Sequence, residues 1–203
     1  MGLIHLELFA TLDLVAQAPG GPEEDPAGFR FGGWQAPLID ETVGASDPGR
    51  LRGHRRAAAG PAHVRHLRAA YWPHQKGGPD NEIATLFNSI PKYVASRGKP
   101  DLPWDGSTQL GPDLADAVRE LRERHENIKV VGSLDLVQSL LRERLFDRID
   151  LWLHPIVLGA GKKVFEDGAV PTNVTLLGPP VASSRAPCTC ATGSPTASPP
   201  PAT

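Results

Sequence analysis

The sequence predicts an α/β fold: a single domain built on a central, mostly parallel mixed sheet flanked by helices, followed by a disordered C-terminal tail. Three observations carry this expectation. Ile4, Leu6 and Leu8 alternate with His5 and Glu7, the two-residue period of a strand with one buried face. Between Tyr93 and Val157 strand and helix patterns follow one another as strand, helix, strand, helix, strand, an order that makes neighbouring strands parallel. The last 25 residues, Pro179 to Thr203, hold seven Pro and neither an aromatic nor an acidic residue, too little to bury for independent folding. The boundaries are a domain over 1–178, with an atypical basic segment at 48–70, and a tail over 179–203.

Taken in order, the chain opens with the strand through Ile4 and Leu8. Pro19 to Gly33 is rich in Gly, Pro, Glu and Asp and reads as an exposed loop near the end of that strand, a place suited to an active-site loop. Pro48 to Pro79 holds six Arg, one Lys and no acid, and its periodicity is poor. Asn81 to Ser89 predicts a short helix that Pro91 breaks, and Tyr93-Val94-Ala95 predicts a buried strand ending at Ser96-Arg97. Pro112 suits a first helical turn, and Leu114, Val118 and Leu121 recur at i, i+4 and i+7, with charged residues off that stripe. Ile128 to Val131 is a short apolar strand. Gly132-Ser133 follows, with Ser133 as candidate N-cap of a helix whose stripe is Leu134, Val137, Leu140 and Leu141. Ile149, Leu151 and Leu153 alternate with Asp150 and Trp152 in a strand interrupted at Pro155, and Val174 to Leu177 offers one more.

Composition narrows the function classes. Lys and Arg total 21 against 23 Asp and Glu, a net charge of −2 that does not suit a protein coating a polyanion. The Arg cluster lacks interleaved aromatic residues until Tyr71 and Trp72, so a solvated face is favoured over nucleic-acid binding. No apolar stretch approaches the roughly 20 residues a bilayer requires. Met1 to Leu14 carries His5, Glu7 and Asp13 and lacks a signal-peptide pattern, so a cytoplasmic location is expected. Cys188 and Cys190 could bind metal only with ligands from elsewhere, and His54, His63 and His66 have no nearby Cys, Asp or Glu, so no metal is expected.

Three segments could carry chemistry. Ile128 to Leu134 runs from a strand through Gly into a helix. Glycine lets a ligand approach the backbone, and the first helical amides are free donors at the positive end of the dipole. The same residues also serve ordinary turn-and-cap chemistry. Ser96-Arg97 places a hydroxyl and a guanidinium at the same sheet edge, suited to a 2′-phosphate or simply an exposed loop. His154 to Phe165 has two glycines near a strand end, which could touch a cofactor or merely reverse the chain.

Thr11-Leu12-Asp13, the loop from Gln17 to Glu24, Pro91 to Arg97, Val131-Gly132-Ser133-Leu134 and Pro155 to Gly161 occur in an order that resembles the dihydrofolate-reductase-like family, which includes the C-terminal reductase domain of the riboflavin-biosynthesis deaminase-reductase. The likeness covers about Met1 to Asp47 and Ala70 to Leu177. It implies NADPH as hydride donor, a small heterocyclic or carbonyl substrate, and a homodimer. By resemblance, Ser96 and Arg97 face the 2′-phosphate, Gly132, Ser133 and Leu134 hold the diphosphate, and Asp13 lines the nicotinamide and substrate cleft, or else caps a turn.

Two departures stand out. Leu14 follows Asp13 where the family has Gly, and Gly53-His54-Arg55-Arg56-Ala57-Ala58 occupies the place of a Gly-Arg-x-Thr-Tyr cofactor turn, leaving Gly53 and Arg55 as its candidates. A cofactor-impaired member of the same fold is the alternative reading. Gly49 to Ala69 and the residues after Val181 also have the Arg, Ala, Gly, Pro, Ser and Thr content of shifted-frame translation from GC-rich DNA, or are a genuine basic loop and tail. A shifted frame would cost the sheet its C-terminal strand and leave an exposed edge.

Overall fold

The computed structural model describes residues 1–25, 27–38, 57–59, 81–180 and 188–193. Its elements are β1 (Leu3–Thr11), a 3-10 turn at Ala36–Leu38, β2 (Ala57–Ala59), α1 (Asn81–Ser89), β3 (Lys92–Val94), β4 (Ser107–Gln109), α2 (Leu114–Arg124), β5 (Asn127–Val130), α3 (Leu134–Arg142), β6 (Arg148–His154) and β7 (Cys188–Thr192). They form one sheet in the order β4-β3-β2-β5-β1-β6-β7. Every neighbouring pair is parallel except β6 and β7, which are antiparallel. The mostly parallel mixed α/β sheet of the sequence reading is therefore the observed fold.

The alternation in β1 does what its period requires. Ile4, Leu6, Leu8 and Ala10 are buried and join Ile128, Val130 and Ile149 in a core with Val118 and Leu121 of α2 and Leu136, Val137 and Leu140 of α3. The intervening residues form a polar row: His5 stands opposite Lys129, Glu7 opposite Asp150, and Lys129 Nζ reaches Glu7 Oε2 at 3.2 Å. Asp150, fully buried, receives Arg148 Nη2 at 2.7 Å and Nε at 2.8 Å. A buried carboxylate is tolerable because a bidentate guanidinium replaces its water.

Several boundaries differ from expectation. Asp113 is the N-cap of α2 and accepts from Asp116 N, so Pro112 stands just outside the first turn. Val174 to Leu177 forms only an isolated bridge, Leu176 with Thr192. The tail is not wholly outside the fold: β7 pairs with β6 from Ile149–Thr192 to Leu153–Cys188, covering the flank that a lost C-terminal strand would have left bare. Small and polar residues order there because β6 offers a row of backbone partners, whatever the local composition. Ile149 is buried in the core and Leu151 and Leu153 pack against it, so the apolar alternation of β6 serves the sheet's own core. Among the described residues no helix is long and apolar enough to cross a membrane.

Candidate functional site

Six parallel strands bring their carboxyl ends to one edge of the sheet. Ligands of open α/β sheets collect there, at the point where connections leave in opposite directions. That point lies between β2 and β5, since β2 leads toward β3 on one side while β5 leads toward β6 on the other. Tyr93, Ala58, Val130, Leu6 and Ile149 lie in one row across the sheet. Ser96 lies three residues beyond that row on β3, and Gly132 two beyond it on β5. With β2 between them, β3 and β5 are two strand spacings apart, about 10 Å.

The structure thus brings Ser96, Arg97, Gly132, Ser133, Leu134 and Asp13 to one edge; Gly53 and Arg55 lie outside the described residues. Arg97 is exposed, and Ser96 Oγ accepts from Gly98 N at 3.2 Å. Gln109 Nε2 braces this loop, donating to Ser96 O at 3.1 Å and Gly98 O at 2.6 Å. Gly132 is buried at φ +138°, a region closed to residues with a side chain, and the peptide joining it to Ser133 is cis. Ser133 is the N-cap of α3 as expected, but its hydroxyl makes no capping bond; its carbonyl accepts from Val137 N at 3.0 Å.

Asp13 is tied down by its own turn. Its carboxylate accepts from Thr11 Oγ1 at 2.5 Å, Gly159 N at 2.8 Å and Leu158 N at 3.2 Å. The Thr11 hydroxyl first, then the two amides, hold the carboxyl below the usual range. Leu14 adopts φ +63° and donates its N to Thr11 O at 2.9 Å, so the turn expected of an Asp-Gly pair is made here by Leu. The left-handed conformation costs a non-glycine residue about 1 kcal/mol. Asp13 therefore caps its own turn and ties it to the loop after β6.

That loop bridges the end of β1 and the start of α3. Leu12 N donates to Ile156 O at 2.9 Å, Ala16 N to Lys162 O at 3.0 Å, and Lys162 N to Gln17 Oε1 at 2.8 Å. On the far side Gln138 Nε2 donates to Lys163 O at 2.9 Å and Lys162 Nζ to Asp135 Oδ1 at 2.9 Å. The segment after His154 therefore reverses the chain and is tied to both the end of β1 and α3. His154, fully buried at the end of β6, donates from Nδ1 to Trp152 O at 2.9 Å. This leaves Nε2 to accept from Gln35 Nε2 at 3.4 Å, beneath the edge-on ring of Trp34. Burial pushes its pKa down, so the ring is neutral and fastens the loop containing Gln17 and Gln35 to the sheet. Trp34 Nε1 closes the same loop on Gln17 O at 2.9 Å.

Sequence reasoning missed Gln17, Gln35 and Lys162. Gln35 and His154 are 119 residues apart and Lys162 and Asp135 are 27 apart, separations at which no local pattern signals contact.

Residues 4–179 match the model of the RibD C-terminal domain. The uncharacterized protein YyaP of Bacillus subtilis (strain 168) is 28% identical over 89 residues, 43% of this chain and 47% of that protein, so the match spans about half of the relative's length. Among solved structures, a proposed riboflavin biosynthesis protein from Shewanella sp. PV-4 is similar at TM-score 0.69 and 16% identity, covering 95% of this chain and 98% of that one. A pyrimidine reductase-like protein from Corynebacterium diphtheriae gives TM-score 0.60 at 15% identity, covering 95% and 92%. The diaminohydroxyphosphoribosylaminopyrimidine deaminase/5-amino-6-(5-phosphoribosylamino)uracil reductase of Thermotoga maritima gives TM-score 0.59 at 14% identity, covering 95% of this chain and 56% of that one. At these identities the structural likeness speaks for the fold.

Proposed function

The chain belongs to the RibD C-terminal domain family, and on that footing we propose that it is an NADPH-dependent reductase of a small heterocyclic or carbonyl substrate, acting in the cytoplasm. The family is of reductase type; the cofactor, substrate and location are our reading. The observation that carries it is the convergence of Ser96-Arg97, Gly132-Ser133-Leu134 and the Asp13-bound loop on one carboxyl edge of the sheet.

The residues present fit a dinucleotide. Gly132 has no Cβ where an extended pyrophosphate would press on the backbone, and the opening amides of α3 have no partner within the helix. Arg97, exposed at the end of β3, suits the 2′-phosphate that distinguishes NADPH from NADH. When bound, NADPH supplies a hydride, so the protein has only to bind, orient and shield. Asp13 lines the nicotinamide side and holds Leu158 and Gly159 as the cleft wall, while Gln35 and Trp34, anchored by His154, hold the loop over the end of β1.

One observation favours the cofactor-impaired alternative: Asp135 brings a carboxylate into the first turn of α3, where a diphosphate would lie. Titration with NADPH separates the two readings. Trp34 and Trp152 are the reporters near the site, whereas Trp104 packs against Lys92 and Val94 on one face of β3. Quenching that saturates, followed by cofactor oxidation when small heterocycles are added, supports the reductase. Absence of any quenching by NADPH overturns it in favour of the impaired member.

A further inference from the structure

We propose that Lys162 is the cation that completes the diphosphate site, exchanging Asp135 for the ligand when the dinucleotide binds. This rests on the functional reading above and adds a residue to it. The backbone of Lys162 is fixed on two sides, through its N to Gln17 Oε1 and through its O from Ala16 N, and Lys163 O is held by Gln138 of α3. The side chain therefore starts from a set position beside the first turn of α3, and its ammonium reaches Asp135 Oδ1 at 2.9 Å. The two side chains are 53% and 67% exposed, so the pair is weak and can be exchanged without a buried charge being stranded.

The charge balance argues the same way. Asp135 opposes any anion at the start of α3, and Lys162 is the group that cancels it. Asp25, on the loop bonded by Gln17, also feels Lys162, which adds to the hydrogen bonds from Ala27 and Gln17 that depress its pKa. Lys162 thus carries an exposed ion pair with Asp135 at the first turn of α3, beside the cleft wall, without binding it strongly. An arriving diphosphate offers more negative charge than either carboxylate and takes the ammonium.

The test uses the full chain, with NADPH and 2′-AMP as probes; the latter carries the 2′-phosphate without the diphosphate. Lys162→Gln should raise the Kd for NADPH about tenfold, the low end for a charge-assisted contact, and leave that for 2′-AMP unchanged. Asp135→Asn should lower the NADPH Kd about threefold by removing an opposing charge, and Lys162→Arg should restore most of the loss. The salt dependence of NADPH binding should also flatten in Lys162→Gln. Wild-type protein that binds NADPH while Lys162→Gln binds it equally well overturns the role of Lys162 alone. Equal weakening of NADPH and 2′-AMP in Lys162→Gln overturns it too, since the effect would then be structural. Wild-type protein that does not bind NADPH overturns the functional reading itself.

Discussion

Two glycines in the loop after β6 should respond very differently to a single methyl group. A Cβ at Gly161 would stand 2.6 Å from Val15 Cγ1 and 2.8 Å from Phe29 Cζ, at φ +126°. An ordinary carbon contact is about 3.5–4.0 Å, so one partner must retreat by about 1 Å. Val15 cannot do so freely, because it is fully buried and its N is held by Thr11 Oγ1 at 2.9 Å. Overpacking of this kind costs about 1–3 kcal/mol, and the forced backbone conformation about 1–3 kcal/mol more. Gly161→Ala should therefore lose about 2–6 kcal/mol. Gly159 has φ +72° and nothing within 4 Å of the added atom, so Gly159→Ala carries only the left-handed penalty, about 1–2 kcal/mol. For a chain of this length each kcal/mol moves Tm by about 2–4 °C. Thermal melts followed by circular dichroism should show a drop of about 2–8 °C for Gly159→Ala and a distinctly larger one for Gly161→Ala. Equal drops would refute the claim that the loop is packed down on the end of β1.

Other outcomes follow from the same structure. His5 is buried and its ring nitrogens have no hydrogen-bond partner among the described residues; burial, then the charges of Lys129 and Arg148, push its pKa below 6.5. The unfolded chain then binds the proton more readily, so stability is held above about pH 6.5 and lost as pH falls through 6.5 toward the folded value; Tm measured downward from neutral pH should fall, and His5→Leu should flatten the fall, a slope unchanged by the substitution contradicting this. Asp13→Ala should cost about 1–2 kcal/mol through loss of three accepted bonds at a partly exposed site and weaken NADPH binding, with Asp13→Asn milder on both counts; Tm and Kd equal to wild type for Asp13→Ala would remove Asp13 from the site. A homodimer should form through the exposed apolar Val170, Val174, Leu176 and Leu177 beside β7, and light scattering at micromolar concentration that returns the 21.7 kDa monomer mass would refute it.

Periodicity made β1, α2, α3 and β6 legible, because each buries a face that the pattern declares, while β3 and β5 showed as short apolar runs and α1 as a segment ended by Pro91. β2 and β4 were not legible: Ala57–Ala59 and Ser107–Gln109 are three residues each, too short to show alternation, and they exist because neighbouring strands supply partners. The same holds for β7, whose composition reads as tail and whose order comes from β6. In the site, Ser96-Arg97 and Gly132-Ser133 could be found because they sit at strand ends, where parallel topology gathers ligand contacts. The His154-Gln35 fastening and the Lys162-Asp135 pair are tertiary, made by side chains far apart in sequence.

The central claim is that the carboxyl edge of this sheet binds NADPH, and the choice between NADPH and NADH tests it most directly. Arg97 at the end of β3 should confer a preference for NADPH of about 10- to 150-fold, the worth of one charge-assisted contact of about 1.5–3 kcal/mol. Kd values for both dinucleotides, measured by tryptophan quenching on wild type and Arg97→Ala, should show that preference in the first and its loss in the second. Equal affinity for NADPH and NADH in the wild-type protein, or no saturable binding of either, would contradict the account.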